Sequence, residues 1–166
     1  MKKVIYLLIL TCLILPLSAC EKGMAEAVGN GSKNIQTNTQ FLKCNMEIDD
    51  GIPETEKSER SIEIFYKDDS ISKISMAFGY KLKDTFTSSA VTALEQNIIE
   101  KQKNKYNNYA PVVVGSNRKG TNAFEIVIEI DYKKLTEDEV KELELDYLKE
   151  YSEDRRVYEN SGYECE

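Results

Sequence analysis

Apolar residues fall on every second position in several separate stretches of the chain. Leu42, Cys44, Met46 and Ile48 alternate with Lys43, Asn45 and Glu47. Successive side chains of a strand point to opposite faces, so this period predicts a strand with one buried face and puts Cys44 on it. Ile62, Ile64 and Tyr66 repeat the pattern over Ser61–Tyr66, after a polar connection from Ile52 to Glu59. A third strand is predicted from Ile71 to about Leu82, with Ile74, Met76, Phe78 and Tyr80 on one face. The intervening Lys67-Asp68-Asp69-Ser70 is short enough to force a hairpin, so these two strands run antiparallel. Val112–Val114 reads as a short strand. Phe124, Ile126, Ile128 and Ile130, alternating with Glu125, Val127, Glu129 and Asp131, give the clearest strand of all.

Elsewhere the period changes to that of a helix. Val91, Leu94 and Ile98 share a face, with Tyr106 further along it, while Glu95, Lys101 and Lys103 fall on the exposed side. Thr87 or Ser88 supplies the N-cap, and the helix must stop before Pro111, since the residue ahead of a proline disfavours the α region. Thr136 and Glu139 form a capping box, and Leu135 with Val140 can staple it, so a second helix starts there with Val140, Leu143 and Tyr147 as its buried stripe. A break near Ser152 would cap a last short helix from Glu153 to Asn160, closed by a left-handed Gly162. The order β-β-β-α-β-β-α-α predicts an α+β domain: an antiparallel sheet of about five strands covered on one face by two or three helices.

The first 20 residues are patterned differently. Lys2 and Lys3 precede an apolar run from Val4 to Leu15, then Pro16 and Leu17-Ser18-Ala19-Cys20. Charge, a core too short to span a bilayer and small residues at the end make a secretory leader. Leu17-Ser18-Ala19-Cys20 resembles the bacterial lipobox, which implies cleavage between Ala19 and Cys20 and diacylglycerol on the Cys20 thiol. The organisation expected is a leader over 1–19, a flexible tether over 20–40 and one domain over 41–166. The tether, rich in Gly, Asn, Ser, Thr and Gln, buries too little to fold and would reach about 25 Å as a coil. The lipid would hold the chain at the extracytoplasmic face of a membrane.

Charge narrows the partners. The chain has 22 basic and 29 acidic residues; two of the basic ones and none of the acidic ones lie in the leader, so the mature body would carry a net −9. Such a body is repelled by nucleic acid and by anionic lipid alike. There is no histidine, which removes the commonest general base and metal ligand. With no phosphate-binding glycine loop either, no cofactor or metal is expected. Cys12 departs with the leader and Cys20 would be acylated, which leaves Cys44 and Cys165 as an even pair in an exported protein. A disulfide between them would constrain the unfolded chain by roughly 5 kcal/mol on the chain-entropy model. It would also bring the C-terminus beside the first strand.

No constellation spells out a reaction. Asp49-Asp50-Gly51 is better read as a turn than as a calcium loop, because the EF-hand spacing is missing. Arg118-Lys119-Gly120 is read as a solubilising turn rather than an anion site. Glu125 and Glu129 are a tempting carboxylate pair, but four residues along a strand separate them by about 13 Å, too far for paired carboxylate chemistry. Ser88 and Ser89 look like helix-cap residues, without a nucleophile-elbow pattern around them. Tyr147, Tyr151, Tyr158 and Tyr163 either line a ligand groove or sit as boundary residues with buried rings and wet hydroxyls; the second reading is favoured.

Several pieces together resemble the small bacterial YehR-like lipoproteins. They are the lipobox at Cys20, the early Cys44 and Ile64-Phe65-Tyr66-Lys67-Asp68, together with Ile128-Glu129-Ile130-Asp131-Tyr132-Lys133-Lys134-Leu135 and the closing Ser161-Gly162-Tyr163-Glu164-Cys165. The resemblance implies an α+β domain with no known enzymatic activity. This chain departs from the pattern in its long acidic stretch from Glu137 to Asp154. The function expected is that of a membrane-anchored binding or interaction module, with a cell-envelope hydrolase or small-ligand-binding protein as the alternative.

Overall fold

The computed structural model describes residues 38–166. Ala19, Cys20 and nearly all of the expected tether lie outside the described residues. The described chain is α+β, with an antiparallel sheet of six strands in the order β4-β5-β3-β2-β1-β6. β1 is Thr39–Ile48, β2 Thr55–Lys67, β3 Ser70–Leu82, β4 Val112–Arg118, β5 Ala123–Ile130 and β6 Glu164–Cys165. The helices are α1, Ser88–Tyr106; α2, Glu137–Glu142; and α3, Tyr151–Asn160, with a 3₁₀ turn at Tyr132–Lys134. Among the described residues no helix is long and apolar enough to cross a membrane.

Six strands replace the expected five because β6 is only two residues long, which no periodicity can reveal. It pairs with β1 at Cys44↔Cys165 and Asn45↔Glu164, and the two cysteines are bridged. β2 also starts earlier than expected, at Thr55 rather than Ser61. The sequence reads there as a polar connection because the outer positions of the strand are charged. Lys57 reaches both Glu47 (3.4 Å) and Glu59 (2.7 Å), and Lys81 of β3 reaches Glu56 at 2.7 Å. The inward side chains there are Ser58, which is buried, and Arg60.

The β2–β3 hairpin turns on Asp68 and Asp69, both with positive φ (53° and 60°). Two left-handed residues match the twist of the flanking strands, and aspartate tolerates that region better than most side chains. One sheet face is the core. Leu42, Cys44, Ile62, Ile64, Tyr66, Ile74, Ile128 and Ile130 form its larger cluster, under Leu145, Leu148 and Tyr158 of the C-terminal segment and Tyr106 at the end of α1. Leu82, Phe124 and Ile126 pack with Val91 and Ile99 of α1 in the smaller one. The opposite face carries ion pairs, among them Lys43–Glu63 at 3.1 Å and Lys73–Glu129 at 2.8 Å.

Two expectations about the helices need correction. Glu95 is buried, not on the exposed side of α1, because Arg118 at the end of β4 pairs with it at 3.0 Å. α1 buries Val91, Glu95 and Ile99, while Leu94 and Ile98 are only partly covered. The helix begun at Thr136 has its capping box but stops after six residues. Glu144 adopts a positive φ of 55°, the Leu145 N–H donates to the Val140 carbonyl (2.9 Å) and the Glu144 N–H to the Lys141 carbonyl (3.0 Å). That is a Schellman stop with glutamate at the left-handed position. Leu145 and Leu148 are buried as a result, while Tyr147 is 42% exposed instead of continuing the stripe. The last helix begins at Tyr151 with no side-chain cap, and Ser152 hydrogen-bonds Glu150 instead of capping.

Candidate functional site

The helices do not cover the sheet evenly. α1 packs on β4 and β5, and α3 packs on β1. Between them the inward residues of β3, Met76 and Phe78, stay half-buried, whereas Ile74 further along the same strand is fully covered. The gap is a cleft of about 360 Å³. Its floor is Ile62, Met76, Phe78 and Ile130. One wall is the last turn of α1, Lys105 and Tyr106; the other is Leu143 to Leu145 with Tyr147, Tyr158 and Tyr163. The volume falls within the range of sites for small organic molecules.

Each wall residue is there for a local reason. Gly162, at φ 91°, ends α3 in a second Schellman stop: the Tyr163 N–H donates to the Tyr158 carbonyl and the Gly162 N–H to that of Glu159, both at 3.1 Å. The return brings the Tyr163 ring edge-on to Tyr158, 5.2 Å between centroids. The left-handed Glu144 swings Tyr147 round so that its hydroxyl lies 2.7 Å from that of Tyr158. In such a pair one hydroxyl donates to the other, and the acceptor keeps its own proton to donate elsewhere. Burial holds both phenols above the ordinary tyrosine range, so they stay neutral donors.

Two cations stand at the cleft. Arg60 lies over the Phe78 ring, 5.2 Å from its centroid, and Lys105 lies over Tyr106 at 5.1 Å. Both contacts are of the cation–π kind. Neither makes an ion pair with a described residue, and the one carboxylate lining the cleft is Glu144. Sequence reasoning missed Arg60. The signal was present, since period two carried back from Ile62 places Arg60 on the inward face, but the charged neighbours masked the strand.

Behind the tyrosine wall lies a buried acid. Asp154 is wholly inaccessible, on the first turn of α3. The Tyr66 hydroxyl donates to its Oδ2 at 2.8 Å and the Lys149 backbone N–H to its Oδ1 at 2.9 Å. Burial raises its pKa above the ordinary carboxylate value, and those two hydrogen bonds only partly offset the rise. Tyr151 packs edge-on against Tyr66, 5.8 Å between centroids, so it belongs to this interior cluster rather than to the cleft. The four tyrosines thus divide, with Tyr147, Tyr158 and Tyr163 at the cleft and Tyr151 beneath it.

The other sequence candidates are engaged structurally. Glu125 pairs with Lys119 at 3.3 Å and Glu129 with Lys73, both on the outer sheet face. Arg118 and Lys119 are thereby both matched to carboxylates. Asp49 and Asp50 accept from the Gly51 and Ile52 N–H groups, as turn residues do. Asp50 also accepts from the Ser58 and Thr55 hydroxyls; burial pushes its carboxyl up, but these hydrogen bonds outweigh it and leave the pKa lowered. Thr87 caps α1, accepting from the Ala90 N–H at 3.3 Å, with Ser89 against it. Among the described residues no three His, Cys, Asp or Glu side chains converge on a point where a metal could sit. A larger hollow of about 850 Å³ lies on the outer face; its two lysines are paired, Lys73 with Glu129 and Lys134 with Asp131, and its remaining carboxylate, Glu139, is taken up in the Thr136 capping box.

No protein-family model and no curated protein matches this chain. Among solved structures, the NMR structure of a protein from Streptococcus pneumoniae TIGR4 is similar. It aligns with a TM-score of 0.56 and 14% identity, covering 91% of this chain and 99% of its own. At that identity the likeness concerns the fold alone, and it supports the α+β architecture of the described residues.

Proposed function

We propose that this chain is a bacterial envelope lipoprotein of the YehR-like kind, tethered by lipid on Cys20 at the extracytoplasmic face of the membrane. Its domain acts as a non-enzymatic binding module through the aromatic cleft. The observation that carries the binding role is the gap between the helical covers, where an apolar floor of Met76 and Phe78 meets hydroxyl donors and cations that have no described carboxylate partner. Concave, mostly apolar sites with a few convergent polar groups are what small ligands occupy. The anchor rests on the leader pattern ending at Leu17-Ser18-Ala19-Cys20.

Two measurements test this. Mass spectrometry of the membrane-extracted protein should find an N-terminal acylated Cys20, and Cys20→Ser should abolish that species; an unmodified mature N-terminus would remove the anchor. Ligand-observed NMR of the full chain against a library of small organic molecules should yield hits that compete with one another and vanish in Phe78→Arg. Hits indifferent to Phe78→Arg would remove the cleft as their site.

A further inference from the structure

The charge at the cleft points to the chemistry of what enters it. The chain has a formal net charge of −7, and many of its exposed cations are spent on carboxylates: Lys43 on Glu63, Lys57 on Glu47 and Glu59, Lys73 on Glu129, Arg155 on Glu159. Arg60 and Lys105 are not; other cations, among them Lys101, Lys103 and Arg156, also make no ion pair with a described residue, but only these two line the cleft. Both are exposed, both line the cleft, and each leans on an aromatic ring that forms part of it, Phe78 or Tyr106. A cation held over an aromatic face keeps its hydrogen-bond donors free for a further partner, and a guanidinium offers a planar fork that matches a carboxylate. The Tyr147–Tyr158 pair adds a neutral hydroxyl donor on the same side of the sheet. Glu144 opposes these groups with a single negative charge.

We infer that the ligand is a small organic anion: an apolar body seated on the floor of Ile62, Met76 and Phe78, with its acid group drawn to Arg60 and Lys105. This rests on the binding role proposed above and specifies its ligand class. A neutral molecule of the same shape satisfies the floor but leaves both cations unmatched. A cation meets repulsion from both. The tyrosine hydroxyls can donate to an anion without losing the bond between them, because only one of their two protons is used in that bond.

The test uses two probes that share a body and differ in charge, 2-naphthoate and 2-naphthamide, titrated calorimetrically into the full chain at low salt. Naphthoate should bind at least about tenfold more tightly, the worth of a charge-assisted hydrogen bond. The double variant Arg60→Gln with Lys105→Gln should erase that advantage and leave naphthamide unchanged. Phe78→Leu should weaken both probes by about threefold, through lost ring contact. Equal binding of the two probes would overturn the anionic class while leaving the cleft as a binding site. So would a naphthoate preference that survives the double variant, since the anion would then be held elsewhere. Failure of both probes to saturate by about 1 mM would overturn the binding role, and this inference with it.

Discussion

The two covers over the sheet are built by different means. α1 is one 19-residue helix whose buried face holds Val91, Ile99 and a charge, Glu95, matched by an ion pair to Arg118. The C-terminal cover is broken into two short helices, of 6 and 10 residues, neither long enough to be stable alone. It is held to the sheet by the Cys44–Cys165 bridge and the Tyr66–Asp154 hydrogen bond, and turned by two Schellman stops of its own. A continuous helix is placed by one face along its whole length, whereas a broken segment has to be fastened point by point. The cleft opens where the two kinds of cover fail to meet.

The largest test of that contrast is the disulfide. Cys44→Ser with Cys165→Ser should lower stability by about 2–5 kcal/mol, since the bridge closes most of the described chain into a loop. The effect should be uneven. Hydrogen exchange should accelerate across α3 and β6 well before it does across α1. Uniform acceleration would mean that the C-terminal cover is no more dependent on its fastening than α1 is.

Asp154 comes next. Asp154→Ala leaves the Tyr66 hydroxyl without its acceptor in a dry site and should cost about 2–3 kcal/mol by chemical denaturation. Asp154→Asn keeps an acceptor for the Lys149 N–H and a partner for Tyr66, but carries no charge. The pH dependence separates the two effects. Because burial raises the folded pKa of Asp154, the folded state holds that proton more tightly than the unfolded chain. Its contribution to stability is greatest below the unfolded pKa, declines as pH rises through the interval up to the raised folded value, and does not recover above it. Asp50, with a lowered pKa, contributes in the opposite sense, above its unfolded pKa and lost as pH falls through its folded value. Asp154→Asn should therefore remove the decline on the rising side, and at neutral pH should match or exceed the parent in stability. A steeper decline in Asp154→Asn than in the parent would contradict a raised pKa.

On the α1 side the corresponding change is smaller. Arg118→Ala strips the partner from a buried Glu95 and should cost about 1–2 kcal/mol, moderated because Arg118 itself is about one-third exposed, 32%. Replacing both by methionine should be close to neutral. A double variant as damaging as the single one would show that the pair orients α1 rather than merely satisfying one buried charge.

How much of this was legible follows from the same contrast. The strands with an apolar inner face, such as Phe124 to Ile130, were plain because alternation and burial coincide. The start of β2 was not, because its inner residues are Ser58 and Arg60 and its outer ones are charged. Glu95 was misplaced because a charge at one position of a helix reads as exposed unless its partner, 23 residues further on at Arg118, is known. The tyrosines could be listed but not divided between cleft and interior. That division depends on Glu144 turning the chain, and glutamate carries no signal for a left-handed residue. Asp154 was invisible for a similar reason: nothing in an acidic run marks which carboxylate will be buried.

The two Schellman stops give the finest comparison. They have the same hydrogen bonds, one with Gly162 at the left-handed position and one with Glu144. A side chain in that region costs roughly 1–2 kcal/mol through its Cβ, which glycine avoids. Gly162→Ala should therefore destabilise by about 1 kcal/mol, and the nearest atom to the new Cβ, the Met46 sulfur at 3.8 Å, leaves room enough that the loss is conformational rather than steric. Glu144→Gly should do the reverse and stabilise by up to about 1 kcal/mol, reduced by the greater freedom glycine gives the unfolded chain. If stability alone governed position 144, glycine would serve better there. Glu144 lines the cleft. If the strain at this residue is retained for the cleft, Glu144→Gly should raise the melting temperature and also tighten 2-naphthoate, because the one opposing carboxylate is gone. A stabilised variant with unchanged affinity for naphthoate would mean that Glu144 acts only in stopping α2, and that its charge lies too far from the bound acid group to matter.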